Sequence, residues 1–178
     1  ARVVGRATTT FPRAEGTGQF YVPNTWWMGA LQVAVEDFMG LYVEQARRLK
    51  KRIVSIYPQR LYLGVDKPDL VREINVQLET VRPGQAQASI KRIQFVRPRK
   101  QDFTLVFKAL DSPMAAEFIR QIQGVVRAMG ESAGVGGGRP QYGKFTAREV
   151  VSMEPDQGES LITELSVQPP MEQKGGSV

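Results

Sequence analysis

The chain has no histidine and no cysteine in 178 residues. Histidine is the side chain that titrates near neutrality unperturbed, and cysteine is the readiest covalent nucleophile. Proton relays, thiolate chemistry and metal centres built on them are therefore excluded. Serine–histidine triads go with them, while carboxylate, lysine and serine chemistry stay open. No disulfide can form, so stability rests on packing and hydrogen bonds, and cysteine usage says nothing about compartment. No apolar run approaches the ~20 residues that cross a bilayer as a helix, so a soluble protein without a membrane span is expected.

An apolar share of 42%, with eight Phe, five Tyr and two Trp, suffices for one packed domain. Arg2, Arg6, Arg13 and the threonines at 8–10 follow an initial Ala1, as in a chain trimmed of its initiator or of a presequence. Charge is uneven. Residues 1–52 carry eight basic and four acidic side chains, 53–110 ten and five, and 111–178 six and nine. A basic front before an acidic back reads as complementarity between neighbouring copies, as a basic surface for phosphate, or as chance clustering on a solvated surface.

Residues 1–23 hold Gly5, Gly16, Gly18, Pro12 and Pro23 without periodicity and read as an extended arm, with Phe11, Phe20 and Tyr21 as anchors. Asn24 or Thr25 caps a predicted helix to about residue 52, its apolar side chains spaced by three and four. Gly29 and Gly40 weaken that helix and point to close approach of another backbone. Strands are expected at 53–57, 61–65, 74–81, 88–96 and 103–109, with a turn at 82–85 and a bulge near Lys91 and Arg92. Ser112-Pro113 starts a second helix that Gly130 stops. A mobile glycine-rich loop at 130–143, a hairpin pairing 145–153 with 161–167, and a flexible tail at 169–178 complete the order.

The expected fold is α+β: one antiparallel sheet of five to seven strands with two helices packed on one face and extended arms at both ends. The domain proper is 24–168.

Gly138 to Lys144 superficially matches a phosphate loop, but Phe145 stands where Ser or Thr should bind magnesium, and no helix follows to supply amides. Glu36 and Asp37, adjacent on one helix, point apart and suit no shared metal. No cofactor, metal or catalytic residue is expected. Arg47, Arg48 and Lys51, with Arg92, Arg97, Arg99 and Lys100, are the candidates for phosphate contact, against a plain solvated surface. Trp26, Trp27 and Met28 crowd the start of the first helix and, with Phe11, Phe20 and Tyr21, are the candidate interface anchors.

These features favour a non-catalytic structural subunit of a virus or phage particle or other multi-subunit complex, packing against copies of itself or other subunits. A nucleic-acid-binding module of a ribonucleoprotein is the alternative.

Overall fold

A computed structural model describes residues 2–78, 87–136 and 142–171. In chain order they form β1 (Arg2–Thr9), β2 (Tyr21–Pro23), α1 (Asn24–Met39), α2 (Val43–Arg48), β3 (Val54–Tyr57), β4 (Arg60–Tyr62), β5 (Leu70–Leu78), β6 (Gln87–Phe95), β7 (Val106–Ala109), α3 (Pro113–Arg120), α4 (Ile122–Ala128) and α5 (Pro155–Leu165). Single π-turns follow α2 at Leu49–Ile53 and α4 at Met129–Ala133. The proposed turn at 82–85, the centre of the phosphate-loop match and most of the 169–178 tail lie outside the described residues.

The expected single antiparallel sheet is not formed. The strands divide into three sheets, ordered β1-β6-β5, β2-β4 and β3-β7, and β1 runs parallel to β6. Five α-helices accompany them among the described residues, rather than two on one face. The chain divides into two compact units, one of Ala1–Tyr21, Tyr62–Gln101 and Pro169–Val178, the other of Val22–Leu61 and Asp102–Gln168.

In the first unit β5 and β6 pair without interruption from Leu70↔Phe95 to Leu78↔Gln87. The bulge expected near Lys91 and Arg92 is absent; the irregularity falls on β1, between Val3 and Arg6. The N-terminal segment, expected to be an extended arm, forms β1 on the chain's own β6. Beyond β1 it doubles back through a turn at 14–18, in which Gly16 and Gly18 take the left-handed backbone (φ 82° and 68°) that a Cβ disfavours. The Ala14 and Gly18 N–H groups close the turn onto the carbonyls of Gln19 and Ala14, and Arg13 bridges to Phe20. This delivers Ala14, Gln19 and Phe20 to a small core with Leu63 and Ile93.

The second unit is built on α1, whose Trp27, Ala30, Leu31, Ala34 and Val35 form one buried stripe at spacings of three and four. The helix expected to reach residue 52 stops at Met39. Gly40 adopts φ 67° and its N–H bonds the Val35 carbonyl, with open space around it. It is a left-handed cap and not a point of backbone contact. Gln45 Oε1 then accepts the Tyr42 N–H at 3.0 Å and opens α2. The expected caps are not used: Pro23 occupies the cap position, and Asn24 Nδ2 is directed to the Ile56 carbonyl at 3.5 Å. Val54 and Ile56 of β3 turn inward while Ser55 faces solvent, the alternation of a half-buried strand.

Ser112 accepts the Ala115 N–H at 3.1 Å with Pro113 in the first turn, as the sequence predicts. In α3 the Glu117 carboxylate is held below its ordinary range, first by a hydrogen bond from Arg120 (2.5 Å) and then by one from Gln121. A carboxylate with a lowered folded pKa contributes stability that is complete above its unfolded pKa and lost as pH falls through the folded value. Glu117→Gln is therefore expected to flatten the acid limb of a circular-dichroism stability profile below about pH 4, with no change at pH 7 beyond the loss of an exposed pair. An unaltered acid limb would remove this assignment.

The 130–143 loop, expected to be mobile, packs where it is described. Gly130, Ala133 and Gly134 are buried. A Cβ on Gly130 would meet the Phe145 carbonyl oxygen at 2.1 Å, and one on Gly143 the Val135 carbonyl oxygen at 1.8 Å. Here glycine lets two backbones touch.

The expected 145–167 hairpin is also replaced. Pro155 sits in the first turn of α5, and Gly158, Leu161, Ile162 and Leu165 follow at helical spacing as its half-buried stripe. Residues 145–153 join no strand.

Candidate functional site

The candidate anchors are largely used inside their own units. Phe20 is fully buried, 5.7 Å from the Phe11 ring and 4.4 Å beneath the Arg13 guanidinium, and Tyr21 meets Tyr62 edge-on at 6.0 Å. Trp27 is buried between Phe103 and Phe145 at 5.2 and 5.4 Å. Trp26 and Met28 are half-buried, and the Trp26 ring lies over Gly136.

The basic candidates fall in different units, Arg47, Arg48 and Lys51 in one and Arg92, Arg97, Arg99 and Lys100 in the other; all are exposed. Arg47 pairs with Glu44 at 3.3 Å and Arg92 with Glu73 at 2.8 Å across the β5–β6 ladder. The Arg97 N–H donates to Asp69 Oδ2 at 2.6 Å, and the Arg99 side chain covers Gly64. Part of this basic character therefore serves the local structure.

An open groove of about 260 Å³ lies between α4 and residues 145–150. Its arginines have carboxylate partners: Arg127 with Glu131 at 4.0 Å, and Arg148 with Asp102 at 3.0 Å. No group of three metal-ligating side chains occurs among the described residues, and none of their helices is long and apolar enough to cross a membrane.

The segment that stands out is the last one. None of residues 142–171 is buried, although they include an eleven-residue helix. Val151, Met153 and Val167 are 64%, 44% and 67% exposed. Lys108 on β7 bonds Glu159 on α5 at 2.5 Å, and that hydrogen bond raises the lysine pKa above its ordinary value. Between Phe145, whose N–H reaches the Gly130 carbonyl at 3.2 Å, and α5, residues 146–153 form no backbone hydrogen bond with described residues. An eleven-residue helix is marginal alone in water and normally depends on a packed face. Residues 146–153 thus carry exposed apolar side chains, Val151 and Met153, on a backbone that is unpaired among the described residues.

Nothing in the local sequence marks out Gln19. Among the described residues it is the buried polar side chain of the first unit: Oε1 accepts the Gly64 N–H at 3.3 Å, and Nε2 donates to the Pro169 carbonyl at 2.9 Å.

Comparison with protein-family models and with curated proteins finds no match to this chain.

Proposed function

We propose that the chain is a non-catalytic structural subunit of a larger macromolecular assembly, a virus or phage particle or another multi-subunit complex, acting by packing and arm exchange between subunits. The observation that supports this reading is the 144–171 segment, which carries a helix and three strongly exposed apolar side chains yet buries no residue of its own. Apolar groups in that state gain roughly 25 cal/mol per Å² when a partner covers them. The opposed charge of the chain's front and back adds a steering term of the right sign for copies of one molecule.

The nucleic-acid alternative draws on Arg97, Arg99 and Lys100 and requires binding that falls steeply with salt. It leaves the exposed C-terminal segment without a purpose, and the assembly reading is preferred for that reason.

Light scattering on the purified chain is expected to show concentration-dependent multimers in the micromolar range. A monomer throughout that range would sink the proposal.

A further inference from the structure

Residues 146–153 combine two properties that rarely occur together. Thr146, Val150 and Val151 are β-branched residues that favour strands, and in an extended backbone Ala147, Glu149, Val151 and Met153 share one face and Thr146, Arg148, Val150 and Ser152 the other. Yet within the chain they join no sheet and make no backbone hydrogen bond with described residues. A local preference that its own fold leaves unsatisfied marks a functional position. Strand-forming sequence with free N–H and C=O groups is the material of strand addition.

The same chain offers an acceptor. In the three-stranded sheet β5 is an outer strand, bonded to β6 on one side only among the described residues. It is nine residues long, about 31 Å at ~3.4 Å per residue, against about 27 Å for the eight-residue donor. Leu70 and Val71 at its start are 45% and 43% exposed. Long edges with exposed apolar side chains are the ones natural sheets cover. The charges are complementary as well. The strands themselves are neutral, Arg148 with Glu149 and Arg72 with Glu73, and the opposed charge lies in their flanks: residues 154–171 hold four acidic and no basic side chains, whereas the described stretches 62–69 and 87–101 hold six basic and two acidic.

From the unpaired strand signal, the open edge and the opposed charge, we infer that residues 146–153 of one copy add as a strand to the outer edge of β5 in a second copy. The contact is heterologous: donor and acceptor are different surfaces, so every copy can give one strand and receive another. Such contacts close into rings or continue as filaments. The inference rests on the assembly reading and specifies its contact.

Two sets of variants test it on the full chain. Arg148→Pro combined with Val150→Pro removes two N–H groups on one side of the donor strand. Those N–H groups bond nothing described in their own chain, and the Arg148–Asp102 pair that is also lost is exposed, so the thermal midpoint should fall little while association weakens about tenfold for each ladder bond unmade. The natural absence of cysteine allows a second test without background. Val151→Cys, mixed with a size-tagged Leu70→Cys, Val71→Cys or Arg72→Cys partner under oxidation, should give a mixed disulfide for at least one pairing, since facing strand residues lie within disulfide reach.

A multimer that survives the double proline variant overturns the inference and leaves the assembly reading standing. Proline sensitivity without any mixed disulfide overturns β5 as the acceptor. A wild-type chain that stays monomeric overturns the inference and the assembly reading together.

Discussion

Replacing Trp27 by alanine is expected to destabilise its unit by about 3–5 kcal/mol, the usual loss for a buried tryptophan truncated to a methyl. The ring is 2% exposed and contacts Phe103 and Phe145, which also meet each other at 5.7 Å. Removing it breaks two aromatic contacts, those with Phe103 and Phe145, and leaves a void that close-packed neighbours fill poorly. Trp27→Phe should cost much less than Trp27→Ala. The indole Nε1 is buried with no hydrogen-bond partner among the described residues, a condition that costs about 1–3 kcal/mol and disappears with the nitrogen. Urea unfolding followed by circular dichroism measures both variants. A Trp27→Ala midpoint equal to wild type, accompanied by loss of multimers, would instead make Trp27 an interface residue.

Gln19→Leu is expected to have the second-largest effect, in the other unit. The substitution keeps the approximate volume but leaves the Gly64 N–H and the Pro169 carbonyl without the partners that Gln19 supplies. Gly64 is half-buried and Pro169 exposed, so water replaces part of what is lost and the expected cost is about 1–2 kcal/mol. The variant should also loosen residues 169–171, because the Pro169 contact is removed. Hydrogen exchange at Gly64 and limited proteolysis near Pro169 should rise together. Protection unchanged at both places would show that Gln19 fills space without tying the segments.

Local signals were read well where a few adjacent residues decide the outcome. Ser112-Pro113 carries its own cap, the stripe from Trp27 to Val35 carries its own periodicity, and the alternation in β5 and β6 places both strands within a few residues. Pairing was not legible, because it depends on distant partners. Nothing near Arg2 announces a parallel partner at Gln87, and nothing in Thr17-Gly18-Gln19-Phe20 announces contacts with Gly64 and Pro169. Gly40 fits a helix interior near another backbone as well as a left-handed cap, and the residue type alone does not choose between them. At 155–165, Pro155 and the spacing of Leu161, Ile162 and Leu165 signal a helix, while the short alternation at 161–167 signals a strand, and the local pattern does not decide between them. Of the candidate site, the basic residues and Trp27 were visible by type. The unpaired backbone at 146–153 was not, since a strand pattern does not disclose whether its partner lies in the same molecule.

The parallel pairing of β1 with β6 also sets a timetable. On a ribosome adding about 5–20 residues per second, the roughly 85 residues between Arg2 and Gln87 take on the order of 4–17 s to emerge. For that interval the first strand is out of the exit tunnel with no ladder to join. It is a naked edge among nascent chains, which on a crowded polysome are copies of itself. A strand placed in this way waits unpaired, and slowing translation between residues 10 and 87 should lengthen the period in which it can find the wrong neighbour.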